Sequence, residues 1–408
     1  MVHGIIRIKR TNPEKVLSGL YHLCVALLPV LYIINVPRLN ISLGTLILLG
    51  LVPHSMIFIL KGMNRKNRIR PMIFLALYIY LLFRSDGNVT RIILCCVAFV
   101  ILYGLMKGAA NTGRLRKIIE TFALINVILL LAQVVSYYIL NYRIQYIPRD
   151  LIYEEYQNAY VFRDSAGLYR PSALFLEPAH FSQYCIFALI SVLFPEQGKA
   201  DLRKAFAIGL GCILTTSGMG IVLTFGVFGW YMVLNRQSID KKFFNMLKLL
   251  PVLAIALLIL WNTAFFQTAI QRIFSTVEGY NAMSGRTHNW NNAIGTMRGT
   301  ALWFGYGDSR NYELYLTGLA DTIYKYGIIC VVLQALCFFY LMKKKTDNFV
   351  WCCSIVFMAL FCVAHLTNFV AQVFYFGIII ADAGVAKKKR AVASGSVPEP
   401  KMIAEKVK

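Results

Sequence analysis

Residues 118–140 read IIETFALINVILLLAQVVSYYIL, a run in which the only charge is Glu120. A bilayer core about 30 Å thick is crossed by roughly 20 such residues wound as a helix, so the run reads as a membrane span. The rest of the chain follows it. Of its 408 residues, 58% are hydrophobic and 15% charged, where a soluble domain carries about 25% charge. Apolar runs recur at 17–36, 41–60, 71–83, 91–106, 179–194, 205–217, 219–234, 249–266, 320–342, 349–366 and 369–386. The predicted fold is therefore an all-α polytopic integral membrane protein of about 12 transmembrane helices (10–12). The lower counts allow for short spans: the third is only PMIFLALYIYLLF, and the seventh and eighth meet at TTSGMG, residues 215–220. Short spans suggest distorted, re-entrant or merged helices.

Charge orients the layout. With the N-terminus inside, segments 1–17, 61–70, 107–117, 195–204, 235–248, 343–348 and 387–408 hold 30 of the 42 Lys and Arg residues. That is the excess expected of cytoplasmic loops, and it predicts both termini in the cytoplasm. It also accounts for the net charge of +23 without nucleic acid. Basic residues on the other side are all arginine: 38, 84, 91, 143, 149, 163, 170, 272, 286, 298 and 310. Arginine presents a planar fork to phosphate, whereas lysine is a point charge. The set predicts at least one phosphate-binding cluster there, against the plainer reading that these arginines anchor at lipid headgroups or balance local acids.

One membrane domain, 1–386, is predicted, with two long extracytoplasmic loops at 141–178 and 267–319. Residues 387–408, which open with KKKR, read as a disordered cytoplasmic tail. The start, MVHGIIRIKRTNPEK, lacks a cleavable signal pattern. Ten cysteines all fall in apolar segments with no CxxC spacing, so they read as small buried hydrophobes, not a disulfide framework or zinc site.

Three stretches can carry chemistry. The first, YRPSALFLEPAHFSQY (169–184), ends the first long loop and opens the sixth span. Pro178 suits the first helical turn, which places Glu177 at the cap and His180 three residues on, on the same face. Arg170 lies upstream across an apolar step, SALFL, able to dip into the interface. A carboxylate, an imidazole and a guanidinium thus gather at one mouth, where a helix N-terminus also favours anions. The alternative is that Glu177 merely caps and pairs with Arg170. The second stretch is SGRTHNWNNAIGTMRGTALWFGYGDSRN (284–311). Ser284-Gly285-Arg286 reads as a tight turn delivering an arginine. Thr287 to Gly299 reads as an amphipathic helix on the membrane, with Trp290 and Met297 on its packed side. Gly305-Tyr306-Gly307-Asp308 reads as the closing turn. The third, LTTSGMG (214–220), could place the Ser217 hydroxyl in a cavity, although turn chemistry is the commoner use. His54 and the His365, Asn368 and Gln372 group read as interhelical hydrogen bonds.

No Walker A loop, GxGxxG, HExxH or outer DxD pair is present, and the first outer loop, VPRLN, has no carboxylate. The chain therefore predicts no metal and no cofactor.

In their order and spacing, these residues resemble the bacterial O-antigen and exopolysaccharide polymerase (Wzy-type) and O-antigen ligase superfamily. The matching positions are Arg170, Glu177, Pro178, His180 with Phe181, Thr216-Ser217-Gly218, Ser284-Gly285-Arg286, Trp290 and Gly305-x-Gly307, followed by LADTIYKYGIICVV at 319–332. The resemblance covers roughly 160–345, while the first 140 residues agree only in hydropathy. Ligase-like members often carry a histidine-asparagine pair before the late span, but here RNYELYLTGLADT (310–322) has no histidine.

The resemblance implies a glycosyltransferase, a polymerase that joins oligosaccharide repeat units on undecaprenyl diphosphate at the outer face of the bacterial cytoplasmic membrane. Arg170 and Arg286 would hold the diphosphate. Glu177 would act as base or orient His180. Arg163, Arg310, Ser217, Trp290 and Asp308 would contact diphosphate or sugar. Partners would be the lipid-linked oligosaccharide, the bilayer, and flippase and chain-length regulator proteins. The rivals are a ligase of the same superfamily and, from another class, a flippase or transporter. A flippase should show inverted repeats and charges along a central path; the sequence has no internal repeat.

Overall fold

The computed structural model describes residues 13–39, 41–62, 72–153, 169–234, 282–310, 312, 316–343, 348–364 and 368–393. The helices are α1 (Pro13–Leu31), α2 (Leu43–Gly62), α3 (Met72–Phe83), α4 (Val89–Met106), α5 (Thr112–Leu140), α6 (Pro178–Leu193) and α7 (Leu202–Leu214). They continue as α8 (Gly218–Leu234), α9 (Ala282–Gly295), α10 (Thr300–Phe304), α11 (Gly318–Lys343), α12 (Asn348–Val363) and α13 (Phe369–Ala393). Every expected span falls on a helix except 249–266, which lies outside the described residues. By length and composition, α2, α4, α5 and α11 can each cross a membrane, and shorter apolar helices accompany them. The 12 residues of α3 rise only about 18 Å, so that helix falls short of a full crossing.

The helix starts follow local rules. Asn88 and Asn111 accept hydrogen bonds from the amides of Arg91 and Arg114 and so cap α4 and α5, satisfying amides that have no partner within the helix. Asp201 caps α7 through the Lys204 amide. The α5 helix stops at Asn141, in left-handed conformation with φ 51°.

The central element is α6. Pro178 and every residue from Phe181 to Leu193 are buried, as expected of a helix apolar all round. Helices α5, α7, α8 and α12 pack against it. Tyr184 stacks on Phe374 with ring centroids 5.1 Å apart, and Phe338 on Phe376 at 4.8 Å, which ties α6 and α11 to α13. Exposed Leu60, Ile128, Val222 and Val233 give the bundle an apolar exterior suited to lipid.

The connections sort to two ends. At one, the long-loop end, a two-residue hairpin, β1 (Asn35–Val36) with β2 (Ile41–Ser42), follows α1. Tyr153 donates its amide to the Ile33 carbonyl there, and Asn368 Nδ2 donates to the Tyr32 hydroxyl. At the other, Lys107 Nζ donates to the Gly62 carbonyl and Arg116 Nη1 to the Phe194 carbonyl.

Four sequence expectations change. Ser284-Gly285-Arg286 is not a tight turn, because the backbone is helical from Ala282. The helix expected over 287–299 stops at Gly295 and resumes as the short α10 after Gly299, whose φ of 58° interrupts it. The helix of α13 runs through Ala393, past the 387 boundary of the expected disordered tail. Lysine, arginine and alanine are good helix formers and simply extend it. Residues 394–408 lie outside the described residues. All ten cysteines are free, yet Cys96 and Cys362 are exposed rather than buried.

Candidate functional site

The step into α6 is held by buried amides. Pro171, Ser172 and Ala173 are buried, with Phe175 and Leu176 beyond them, so the apolar step packs within the protein. Gln133 Oε1, on α5, accepts the Ser172 and Ala173 amides at 3.2 and 2.8 Å. Asn126 Oδ1, two turns away, accepts the Leu174 amide at 3.3 Å. Ser172 Oγ donates to the Phe175 carbonyl at 2.8 Å, and Ala173 sits at φ 50°. A non-glycine residue there is uncommon and persists only where its surroundings hold it. The two side-chain amides of α5 supply that hold.

Beyond the step, Glu177 is the N-cap of α6 by backbone, but its carboxylate makes no cap hydrogen bond. Arg170 and His180 are half-buried beside it in sequence. One turn on, Ser182 Oγ meets Thr215 Oγ1 at 3.0 Å, which binds the start of α6 to the α7–α8 turn. Gly220 lies so close to Ser182 that a β-carbon would collide with its hydroxyl. Thr216 takes φ 54°, and Ser217 is buried, accepting the Gly220 amide at 3.4 Å. Ser217 is thus engaged in turn chemistry, while the sequence motif that contains it is brought against the Glu177 helix.

A second group lies along α11. The segment 303–308 runs against α11 where that helix kinks at Gly327, φ 73° and ψ 177°. Tyr306 and Gly307 donate their amides to the Tyr324 and Lys325 carbonyls at 2.8 and 2.9 Å. Side chains at Gly305 or Gly327 would strike the facing backbone, and one at Gly307 would strike Asp86. Asp86, in the α3–α4 loop, accepts from the Ser309 amide at 3.0 Å and hydroxyl at 2.9 Å. The Ser309 amide, ahead of the smaller contributions, holds the Asp86 carboxyl below its ordinary value. Arg84 Nη2 donates to the Gly305 carbonyl at 2.9 Å. Arg91 pairs with Asp308 at 2.9 Å, and the Tyr326 hydroxyl accepts from Arg91 and donates to Asp308.

Arg91 and Asp308, with Tyr32, Thr45, Thr90 and Asn368, line a cavity of about 220 Å3. Of the remaining predicted residues, Trp290 packs on the small apolar cluster of Ala293, Leu316 and Ala320. Arg310 is exposed, its guanidinium 6.0 Å from the Tyr306 ring centroid. Arg286 lies on the α9 backbone, with its side chain outside the described residues, as is Arg163 entirely. The two groups are linked through Leu176, which shares a cluster with Ile33 and Ile152 against which Tyr32 packs. Among the described residues, no cluster of His, Cys, Asp or Glu could hold a metal ion.

Several contributors were missed by sequence reading. Arg84 and Arg91 belong to the all-arginine set, but nothing local singles them out. Asp86, Tyr326, Gln133 and Asn126 carry no motif. Gln372 and Asn368 do act between segments, as expected: Tyr78 donates to Gln372 Oε1 at 2.9 Å. His54 likewise contacts the Ala109 carbonyl at 3.3 Å. His365 lies outside the described residues.

The family described as O-Antigen ligase matches residues 205–327, from α7 to the α11 kink. This match supports the O-antigen ligase/polymerase superfamily, and with it a glycan-processing membrane enzyme. No curated protein matches the chain at a significant level. The matched segment contains the Thr215–Ser217 turn and Gly305-x-Gly307, but not the step at 169–181, which joins it through Ser182 and Thr215.

Proposed function

With the O-antigen ligase family match as premise, we propose that the chain is a polysaccharide polymerase that joins oligosaccharide repeat units carried on undecaprenyl diphosphate. It works at the long-loop end, taken to face away from the cytoplasm. The observation that carries the reading is the Ser182–Thr215 contact, which sets the Arg170–Glu177–His180 step against the matched segment.

The reaction needs three things. A hydroxyl of the incoming unit attacks the anomeric carbon of the growing chain. The bond from that carbon to the diphosphate oxygen breaks, and undecaprenyl diphosphate leaves with the electron pair. The hydroxyl proton passes to a base. The Glu177 carboxylate, not spent on capping, is that base, or it orients His180 for the task. In this reading Arg170 and Arg286 are the residues assigned to stabilise the charge that builds on the leaving diphosphate, with Arg163 and Arg310 as further candidates. Holding both lipid-anchored substrates at one mouth lowers the entropic part of the barrier.

A ligase is the second reading, since the matched family is described by that activity; the absence of histidine from 310–322 favours polymerase. Deleting the gene and analysing lipid-linked and surface glycans tests both. Single repeat units exposed outside, with long chains lost, are expected. Long chains retained on the carrier would instead mean a ligase, and units trapped inside would mean a flippase.

A further inference from the structure

The cavity around Arg91 shares no lining residue with the Arg170–Glu177–His180 step and has a different chemistry. We infer that it is a subsite for one uncharged sugar ring of the glycan substrate; the choice of a sugar rests on the proposed function above. Size is the first argument. At about 220 Å3 the cavity is smaller than the roughly 300–1,000 Å3 of drug-sized ligand sites, so it has room for about one ring, with the rest of a glycan outside its mouth.

Charge is the second. The lining cation, Arg91, is matched by Asp308 at 2.9 Å, and its guanidinium lies 5.2 and 5.3 Å from the ring centroids of Phe369 and Tyr326. A neutralised, aromatic-flanked arginine is poorly suited to a diphosphate. The remaining polar groups, from Thr45, Asn88, Thr90, Asn368 and Tyr32, mix donors with acceptors, which is what a ring of hydroxyls requires. The apolar walls, Leu94 and Phe369, suit its C–H face.

Position is the third argument. Tyr326 and Asp308 come from the matched segment, whereas Tyr32, Arg91 and Asn368 come from outside it. Such a site can select among sugars, because a pocket built to hydrogen-bond a hydroxyl rejects a ring that lacks it.

Saturation-transfer NMR on the full chain in detergent micelles tests the inference, with a panel of free hexoses, 6-deoxyhexoses and N-acetylhexosamines as probes and inorganic pyrophosphate as competitor. Binding on the order of millimolar is expected for so small a ligand. At least one sugar should give transfer that pyrophosphate leaves unchanged. Thr90→Phe fills the cavity rim from an exposed position and spares the Arg91, Asp308 and Tyr326 contacts. It should cut the transfer by at least about 5-fold while melting like the parent protein. Absence of transfer, transfer unaffected by Thr90→Phe, or displacement by pyrophosphate would each overturn the subsite. Because binding is read without turnover, sugar transfer together with unchanged glycans in the deletion strain would remove the enzymatic reading alone. Altered glycans without transfer would remove the subsite alone.

Discussion

Gly327→Ala perturbs the contact on which the α11 kink depends, and its size can be worked out. At φ 73° and ψ 177° the backbone lies in a region open essentially only to glycine, and forcing another residue there costs about 1–3 kcal/mol. The added methyl would also strike the Trp303 carbonyl. Relieving that clash moves residues 303–307 away from α11 and gives up the Tyr306-to-Tyr324 and Gly307-to-Lys325 hydrogen bonds, worth about 1 kcal/mol each. The expected loss is therefore about 3–5 kcal/mol, a large part of a total stability of roughly 5–15 kcal/mol. Gly226→Ala is the control. It lies in α8, and a β-carbon added there would meet nothing within 4 Å, so alanine should gain about 0.5–1 kcal/mol. Thermal unfolding of the full chain in detergent, followed by tryptophan fluorescence, should separate the two variants in opposite directions. If Gly327→Ala melts with the parent, or Gly226→Ala falls as far as it, the kink is not held by backbone approach and the reasoning fails.

Other outcomes follow from the same geometry. Gln133→Leu leaves the buried Ser172 and Ala173 amides without their acceptor, at about 1–3 kcal/mol each; a melting point equal to the parent's would mean that the step is held otherwise. Arg170→Lys keeps the charge but loses the fork, and should lower long-chain glycan about 100-fold on a gel of surface polysaccharide, with Glu177→Gln at least as severe. A full ladder in either variant would remove that residue from the reaction. The Asp86–Ser309 contact adds stability that is complete above the ordinary carboxylate value of 3.8 and is lost as pH falls through the lowered value of Asp86. Hydrogen exchange at residues 307–310 should thus be flat from about pH 8 to 5 once corrected for intrinsic rates, and should rise below 3.8; a rise near neutral pH would assign the contact to another group.

The helices were legible because each depends on its own run of residues. Hydropathy marked α5, and Pro178 marked the start of α6, since both signals act within one turn of the chain. The charge count gave an expectation for the sidedness of the connections, because successive spans must alternate in direction. The Glu177 cap and the buried SALFL step were also visible, one from proline and the other from apolar neighbours between polar residues. Where two local signals competed, the helix won. The Ser284–Arg286 turn gave way to α9 because glycine at 285 permits a turn without requiring one.

What only the tertiary structure decided is the pairing. No local pattern joins Asp308 to Arg91, Gln133 to the Ser172 amide, or Gly327 to the Trp303 carbonyl. Each contact is made between segments distant in the chain, at a separation fixed by how helices pack, and the residues involved look ordinary in their own neighbourhoods. An arginine at a membrane edge reads the same whether it anchors to lipid, grips a phosphate or is neutralised by an aspartate. The packing of α3, α4 and α11 makes Arg91 the last of these, and that neutralisation turns an apparent anion site into a cavity suited to an uncharged ring.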